Sequence, residues 1–165
     1  IRHFSGTATY ETAFDLPAAL FGEGRELYLD LGGVEVIARA TLNGRELPTL
    51  WKPPFRTRID GAARPGRNVL KVRVTNLWPN RMIGDAALPD DMQWRPGGKG
   101  SQLPASWPDW LLQGKPRPSG RIAFCTRSNV YDRNDPLLPS GLIGPVLVRP
   151  AAVAPVAPAE ADRRK

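Results

Sequence analysis

Residues 42–85, LNGRELPTLWKPPFRTRIDGAARPGRNVLKVRVTNLWPNRMIGD, leave few folds open. Within them residues 69–75 alternate: Leu70, Val72 and Val74 fall on one face, Lys71, Arg73 and Thr75 on the other. Side chains of a strand point to opposite faces in turn, so this period of two describes a strand with one buried side. Upstream, Asn43-Gly44 supplies two residues that tolerate the positive φ angles of a type I′ hairpin turn. Both strand regions run into aromatic, Pro-rich loops, Trp51-Lys52-Pro53-Pro54-Phe55 and Leu77-Trp78-Pro79-Asn80-Arg81. Rigid strands that carry loops rich in Trp, Arg and Asn suit polar, ring-shaped ligands such as sugars.

The rest of the chain repeats the pattern. Residues 7–14 alternate with Ala8, Tyr10, Thr12 and Phe14 on one face, and Asp15-Leu16-Pro17 ends that strand. Leu27, Leu29 and Leu31 share one face of a second strand, which Gly32-Gly33 breaks. Residues 34–42 alternate again through Val36, Ala38, Ala40 and Leu42 into the Asn43-Gly44 turn, and Phe55, Thr57 and Ile59 form a short piece. Residues 60–66 read as a loop or a single helical turn. Ile122, Phe124 and Thr126, then Val146 and Val148, mark the last strands. No segment shows a helical period, and Gly and Pro make up about a fifth of the chain (16 and 18 residues). Some eight short strands at this spacing predict an all-β fold, a β-sandwich.

Beyond Asp85 the pattern is lost until Arg121, a long interval containing Trp94, Trp107 and Trp110. A connection of that length inside a compact domain is functional or disordered, and three tryptophans argue for order. At the far end, residues 150–165 change to AAVAPVAPAEADRRK after Pro150, which predicts a disordered Pro/Ala tail behind a domain of residues 1–149. The chain starts at Ile1 with no initiator Met or signal-peptide pattern, so it is expected to be a piece of a longer protein.

Several function classes fall away. The net charge is +7, but the basic residues are scattered singly, with no cluster longer than Arg163-Arg164-Lys165; no nucleic-acid partner is expected. No apolar run approaches a membrane span, so no membrane partner is expected either. One cysteine, Cys125, reads as a small buried hydrophobe, and one Cys with one His cannot build a zinc site. A calcium site would need a regular oxygen spacing that the acidic residues lack, so neither metal nor cofactor is expected. A Ser-His-Asp nucleophile would have to use His3 and has no GxSxG. Gly97-Gly98-Lys99-Gly100-Ser101 lacks the rest of a phosphate-binding motif and reads as a loop.

The acids Asp85, Asp90, Asp91 and Asp109 have no spacing that fixes a catalytic pair, and turn chemistry or surface charge accounts for them better. The tryptophans say more. An indole offers a flat apolar face and one N–H donor, which matches the C–H face of a pyranose and one hydroxyl. For Trp51 and Trp78 sugar contact and plugging the ends of the sandwich both stay open; for Trp107 and Trp110 plugging of the long loop is favoured. Asn80 and Arg81 could donate to sugar hydroxyls, while an Arg81–Asp85 ion pair holding the loop is the plainer reading. The candidate carbohydrate-binding set is Trp51, Trp78, Asn80, Arg81 and Asp85.

SGTATYETAF, LNGRELPTLWKPPF, NLWPNRMIGD, GKPRPSGRIAF and PLLPSGLIGPV, in that order, resemble the C-terminal β-sandwich of the alpha-L-rhamnosidases of glycoside hydrolase family 106. That region is similar to the galactose-binding-like, sugar-binding domain of family 2 enzymes such as beta-mannosidase. The resemblance spans residues 5–149. It implies a jelly-roll module of a larger enzyme whose catalytic acids sit upstream on a (β/α)8-barrel and remove terminal alpha-linked L-rhamnose with inversion. By the same resemblance the chain is non-catalytic, packs on that barrel, helps close a pocket for a rhamnose-containing glycan, and belongs to a periplasmic or secreted protein. A free-standing carbohydrate-binding module and a stand-alone hydrolase using the Asp residues are the alternatives.

Overall fold

A computed structural model describes residues 1–95, 104–123 and 131–154. Two compact units make up the chain: Ile1–Thr7 with Thr75–Ser140, and Ala8–Val74 with Gly141–Lys165. The second is built of strands. These are β1 (Thr7–Leu16), β2 (Arg25–Asp30), β3 (Gly33–Glu35), β4 (Ile37–Leu42), β5 (Arg45–Glu46), β6 (Arg56–Arg58), β7 (Gly66–Thr75), β8 (Gly141–Gly144) and β9 (Leu147–Ala152). They form a four-stranded sheet in the order β1-β7-β4-β5, a three-stranded sheet β6-β2-β9 and a two-stranded ribbon β3-β8. β2 pairs antiparallel with β6 and β9, β3 with β8, and β4 with β5. The fold is all-β with a few short helices.

One core serves both larger sheets. Ala38, Ala40 and Leu42 from β4 and Leu70, Val72 and Val74 from β7 join Leu27, Leu29, Leu31, Val34, Phe55 and Ile59 in a single buried cluster. Alternation thus places each strand as its sequence dictates. The 34–42 run departs from expectation. It divides at Val36, so that β3 pairs with β8 while β4 stays beside β7. Val34 and Ala38 are both buried, and the break lets one run of sequence feed two sheets.

The Asn43-Gly44 turn has φ angles of 52° and 81°, the left-handed pair that a type I′ turn requires. Its side chain does more than turn the chain. Asn43 Nδ2 donates to Ala62 O and to Asn68 Oδ1, each at 2.8 Å, and Asn43 Oδ1 accepts from Val69 N at 2.9 Å. Asn68, fully buried, accepts from Arg64 N and donates to Arg64 O and Gly66 O. Two amides therefore join the hairpin tip to the bend that launches β7.

Several expectations need correction. Leu77-Trp78-Pro79-Asn80-Arg81 is not an open loop: Trp78 caps an α-helix, α1 (Pro79–Ala86), with Pro79 at its first position. Proline's fixed φ is pre-organised there and its missing N–H costs nothing. The long interval likewise holds a short helix, α2 (Asp109–Leu112), and a bridge between Trp94 and Pro104. At the other end β9 runs through Pro150, Ala151 and Ala152, paired to Leu27, Glu26 and Arg25, where the tail was expected to begin. An edge strand can hold a proline because one row of its N–H groups faces away from the sheet. Residues 121–123 lie outside any strand; Phe124, Cys125 and Thr126 lie outside the described residues, as do 155–165. Among the described residues no helix is long and apolar enough to cross a membrane.

Replacing Asn68 by Ala strips partners from Asn43 Nδ2, Arg64 N–H and two carbonyls, and empties a fully buried side-chain site. Unsatisfied buried groups cost about 1–3 kcal/mol each, so Asn68→Ala should lose roughly 3 kcal/mol, read as a lower urea midpoint at unchanged slope.

Candidate functional site

Helix α1 gathers four of the five predicted site residues. Trp78, at its N-cap, leaves 51% of its surface exposed. Asn80 is buried, and its amide clasps one residue: Nδ2 donates to Leu138 O and Oδ1 accepts from Leu138 N, both at 2.9 Å. Arg81 Nη2 stands 3.0 Å from Asp85 Oδ1, one turn on, without hydrogen-bond alignment. Asp85 Oδ2 accepts from Ile122 N at 3.0 Å and Ala123 N at 2.7 Å. The ion pair expected of Arg81 and Asp85 is present, and the carboxylate also ties down a segment 37 residues away. Gly84 lets His3 approach this helix closely, because a Cβ there would stand 2.6 Å from His3 Cγ.

Trp51, the fifth residue, belongs to the strand unit and is 65% exposed, with Lys52 Nζ 5.3 Å from its ring centre. Neither Trp51 nor Trp78 is a plug within its own unit.

A second polar centre went unread in the sequence. Asp91, expected to serve a turn or the surface, is almost closed off: its side chain is 5% exposed and paired with Arg117, Nε to Oδ2 at 2.6 Å and Nη2 to Oδ1 at 3.0 Å. Ser119 Oγ donates to Oδ2, and Arg117 Nη1 donates to Ala123 O. The Arg117 hydrogen bonds, aided by Ser119 and opposed by burial, hold the Asp91 carboxyl at about 2. A group so acidic stays ionised at neutral pH and has no proton to lend to a leaving group. Arg117 also lies over the Trp110 ring, 5.3 Å from its centre, so Trp110 packs inside the long loop as expected. Trp107 does not, being 57% exposed. Trp94 Nε1 donates to both Asp90 oxygens, at 3.0 and 2.9 Å.

Trp107 borders an open groove of about 390 Å³, with Asp90, Asp91, Gln93, Ser106 and Asp109 among its walls. The bridge between Trp94 and Pro104 brings these two stretches together; sequence spacing gives no hint of it. Among the described residues no three His, Cys, Asp or Glu side chains converge as a metal site would need. The Gly97–Ser101 loop of the sequence reading lies outside the described residues.

No family model matches the chain. Over 148 residues, 90% of this chain and 12% of the relative, it is 47% identical to a Formosa agariphila protein described as "Putative beta-glucuronidase". A solved rhamnosidase from Novosphingobium sp. PP1Y is 36% identical, with a TM-score of 0.60, over 90% of this chain and 11% of that one. The chain resembles a domain-sized segment of glycoside hydrolases. It spans about a tenth of the length of either relative.

The Asp91 carboxyl has a pH consequence. Its value falls from 3.8 to about 2 on folding, so its stabilisation is complete above about pH 4 and drains away as pH drops toward 2. Asp91→Asn should flatten acid unfolding over that window, by about 2 kcal/mol, in melts run from pH 5 to pH 2. Arg117→Ala, which strands the carboxylate, should cost about 3 kcal/mol at pH 7 in the same assay.

Proposed function

We propose that this chain is a non-catalytic, carbohydrate-binding-like domain of an alpha-L-rhamnosidase-like glycoside hydrolase, with the galactose-binding-like jelly-roll sandwich of such domains. It packs on the catalytic barrel of a longer, periplasmic or secreted polypeptide and helps shape the pocket for a rhamnose-containing glycan. The observation that carries this reading is the likeness to the rhamnosidase: 36% identity and a TM-score of 0.60, held over nine-tenths of this chain. The chain's own chemistry supports it. The best-enclosed carboxylates, Asp85 and Asp91, accept from backbone amides or pair with arginines, an anchoring role. Cleavage then falls to acids elsewhere in the polypeptide.

In this reading Trp51 and Trp78, each within its own unit, present a sugar-stacking face. Asn80, Arg81 and Asp85 complete the set by fixing the helix that presents Trp78. A free-standing binding module is the second reading, favoured by the open groove beside the exposed Trp107. The 47% identity to the relative described as a glucuronidase favours glucuronides as the competing sugar class.

The isolated chain should turn over no aryl alpha-L-rhamnoside; measurable release of the aryl group would overturn the non-catalytic reading. Trp78→Ala should cost under about 1 kcal/mol in a thermal melt, because a half-exposed indole leaves no large cavity. A loss of roughly 3 kcal/mol would make Trp78 a structural plug. A saturable change in tryptophan emission with methyl alpha-L-rhamnoside, abolished in Trp78→Ala, would select the free-standing module.

A further inference from the structure

The outward face of the four-stranded sheet carries a feature that the proposed function leaves unused. Inward residues of β4 and β7 fill the core, so Arg39 and Thr41 of β4 and Lys71 and Arg73 of β7 must face out. These four, with Glu46 of β5 and Thr49, border a recess of about 360 Å³. Ala40 and Leu47 complete the lining.

The charges here are unevenly spent. Lys71 Nζ is paired with Glu11 of β1 at 3.0 Å. Among the described residues Arg39 and Arg73 have no carboxylate or carbonyl partner, although Glu46 lines the same recess. Two planar guanidiniums in a concavity, unneutralised, are disposed to take a planar or tetrahedral oxyanion. Threonine hydroxyls and a carboxylate beside them match the donors and acceptors of a sugar ring. An isolated small anion would use the arginines but leave Thr41, Thr49 and Glu46 idle. A volume of some hundreds of cubic ångströms holds a monosaccharide or more.

We propose that the recess over β7, β4 and β5 binds an anionic saccharide, a glycan unit bearing a carboxylate or sulfate, with Arg39 and Arg73 on the anionic group and Thr41, Thr49 and Glu46 on the ring hydroxyls. None of these residues belongs to the tryptophan set, so the two sites can be tested apart. The shared chemistry is a saccharide oxyanion; uronates and sulfate esters are its two sources.

The 165-residue chain would be titrated calorimetrically with tri-galacturonate, with a sulfated trisaccharide and with neutral maltotriose. Saturable heat with either anionic ligand, at least tenfold weaker affinity in 0.5 M NaCl and none with maltotriose is the expected result; which ligand binds names the source. Arg39→Ala and Arg73→Ala should each weaken binding at least fivefold, and the double variant should abolish it. The charge-matched Arg95→Ala/Arg133→Ala pair should change affinity less than twofold. All four arginines are exposed, and unchanged melts would confirm folded variants. No saturable binding of either anionic ligand, equal binding of maltotriose, or loss of affinity in the charge-matched pair would overturn the proposal. So would a single-stranded oligonucleotide binding tighter than both saccharides, which would make the recess a phosphate-backbone surface.

Discussion

The pairing of Asn43 with Asn68 is the constraint on which the strand unit depends. A type I′ turn sets the geometry of one hairpin but says nothing about what lies next to it. Here the turn residue also reaches sideways, to Ala62 O and Asn68 Oδ1, and takes the Val69 amide. Asn68 in turn closes its own bend on Arg64 and Gly66. Two amide side chains, six hydrogen bonds and little exposure to water hold the start of β7 against the end of β4. With those ends fixed, a slip of one residue would turn Leu70, Val72 and Val74 outward, which the core forbids.

The loop-rich unit is held by a different device. Among the described residues it has no apolar cluster comparable to that of the strands, and its order comes from side chains that bond to distant backbone. Asn80 holds Leu138, Asp85 holds Ile122 and Ala123, and Arg121 reaches Leu88 O and Pro89 O. Asp91 and Arg117 form a nearly dry ion pair within the same fabric. Removing one partner from such a pair leaves an uncompensated charge, so these contacts enforce one arrangement more than they add net stability. Asp85 and Asp91, two of the acids that their sequence setting offers for catalysis, are held in structural contacts.

Much of the strand unit was legible because alternation and turn chemistry are local. Leu27, Leu29 and Leu31, the Leu70–Val72–Val74 face and the positive φ of Asn43 all sit where the sequence puts them. The split at Val36 was not legible, since a strand that changes sheets keeps its period. Helix α1 was hidden for another reason: at eight residues it is barely two turns, it contains Gly84, and its Trp-Pro opening reads as a loop. Two signals were there to be used, a proline at a first helical position and the Arg81–Asp85 spacing of four. The partners of Asp91 and Asn80 lie 26 and 58 residues off, and no pattern in one chain announces such distances. Alternation puts Arg73 on the face opposite Leu70, Val72 and Val74, but its meeting with Arg39 over a recess follows only from β4 lying beside β7.

The clasp between residues 85–89 and 121–123 has an evolutionary corollary. Asp85 and Arg121 bond across it in both directions, so the stretch of residues 90–120 within this unit starts and ends at almost the same place. Closing a longer loop adds only about 0.6 kcal/mol for each doubling of its length. Natural variation can therefore lengthen, shorten or rewrite that excursion while its footing stays put, giving one scaffold interchangeable attachments.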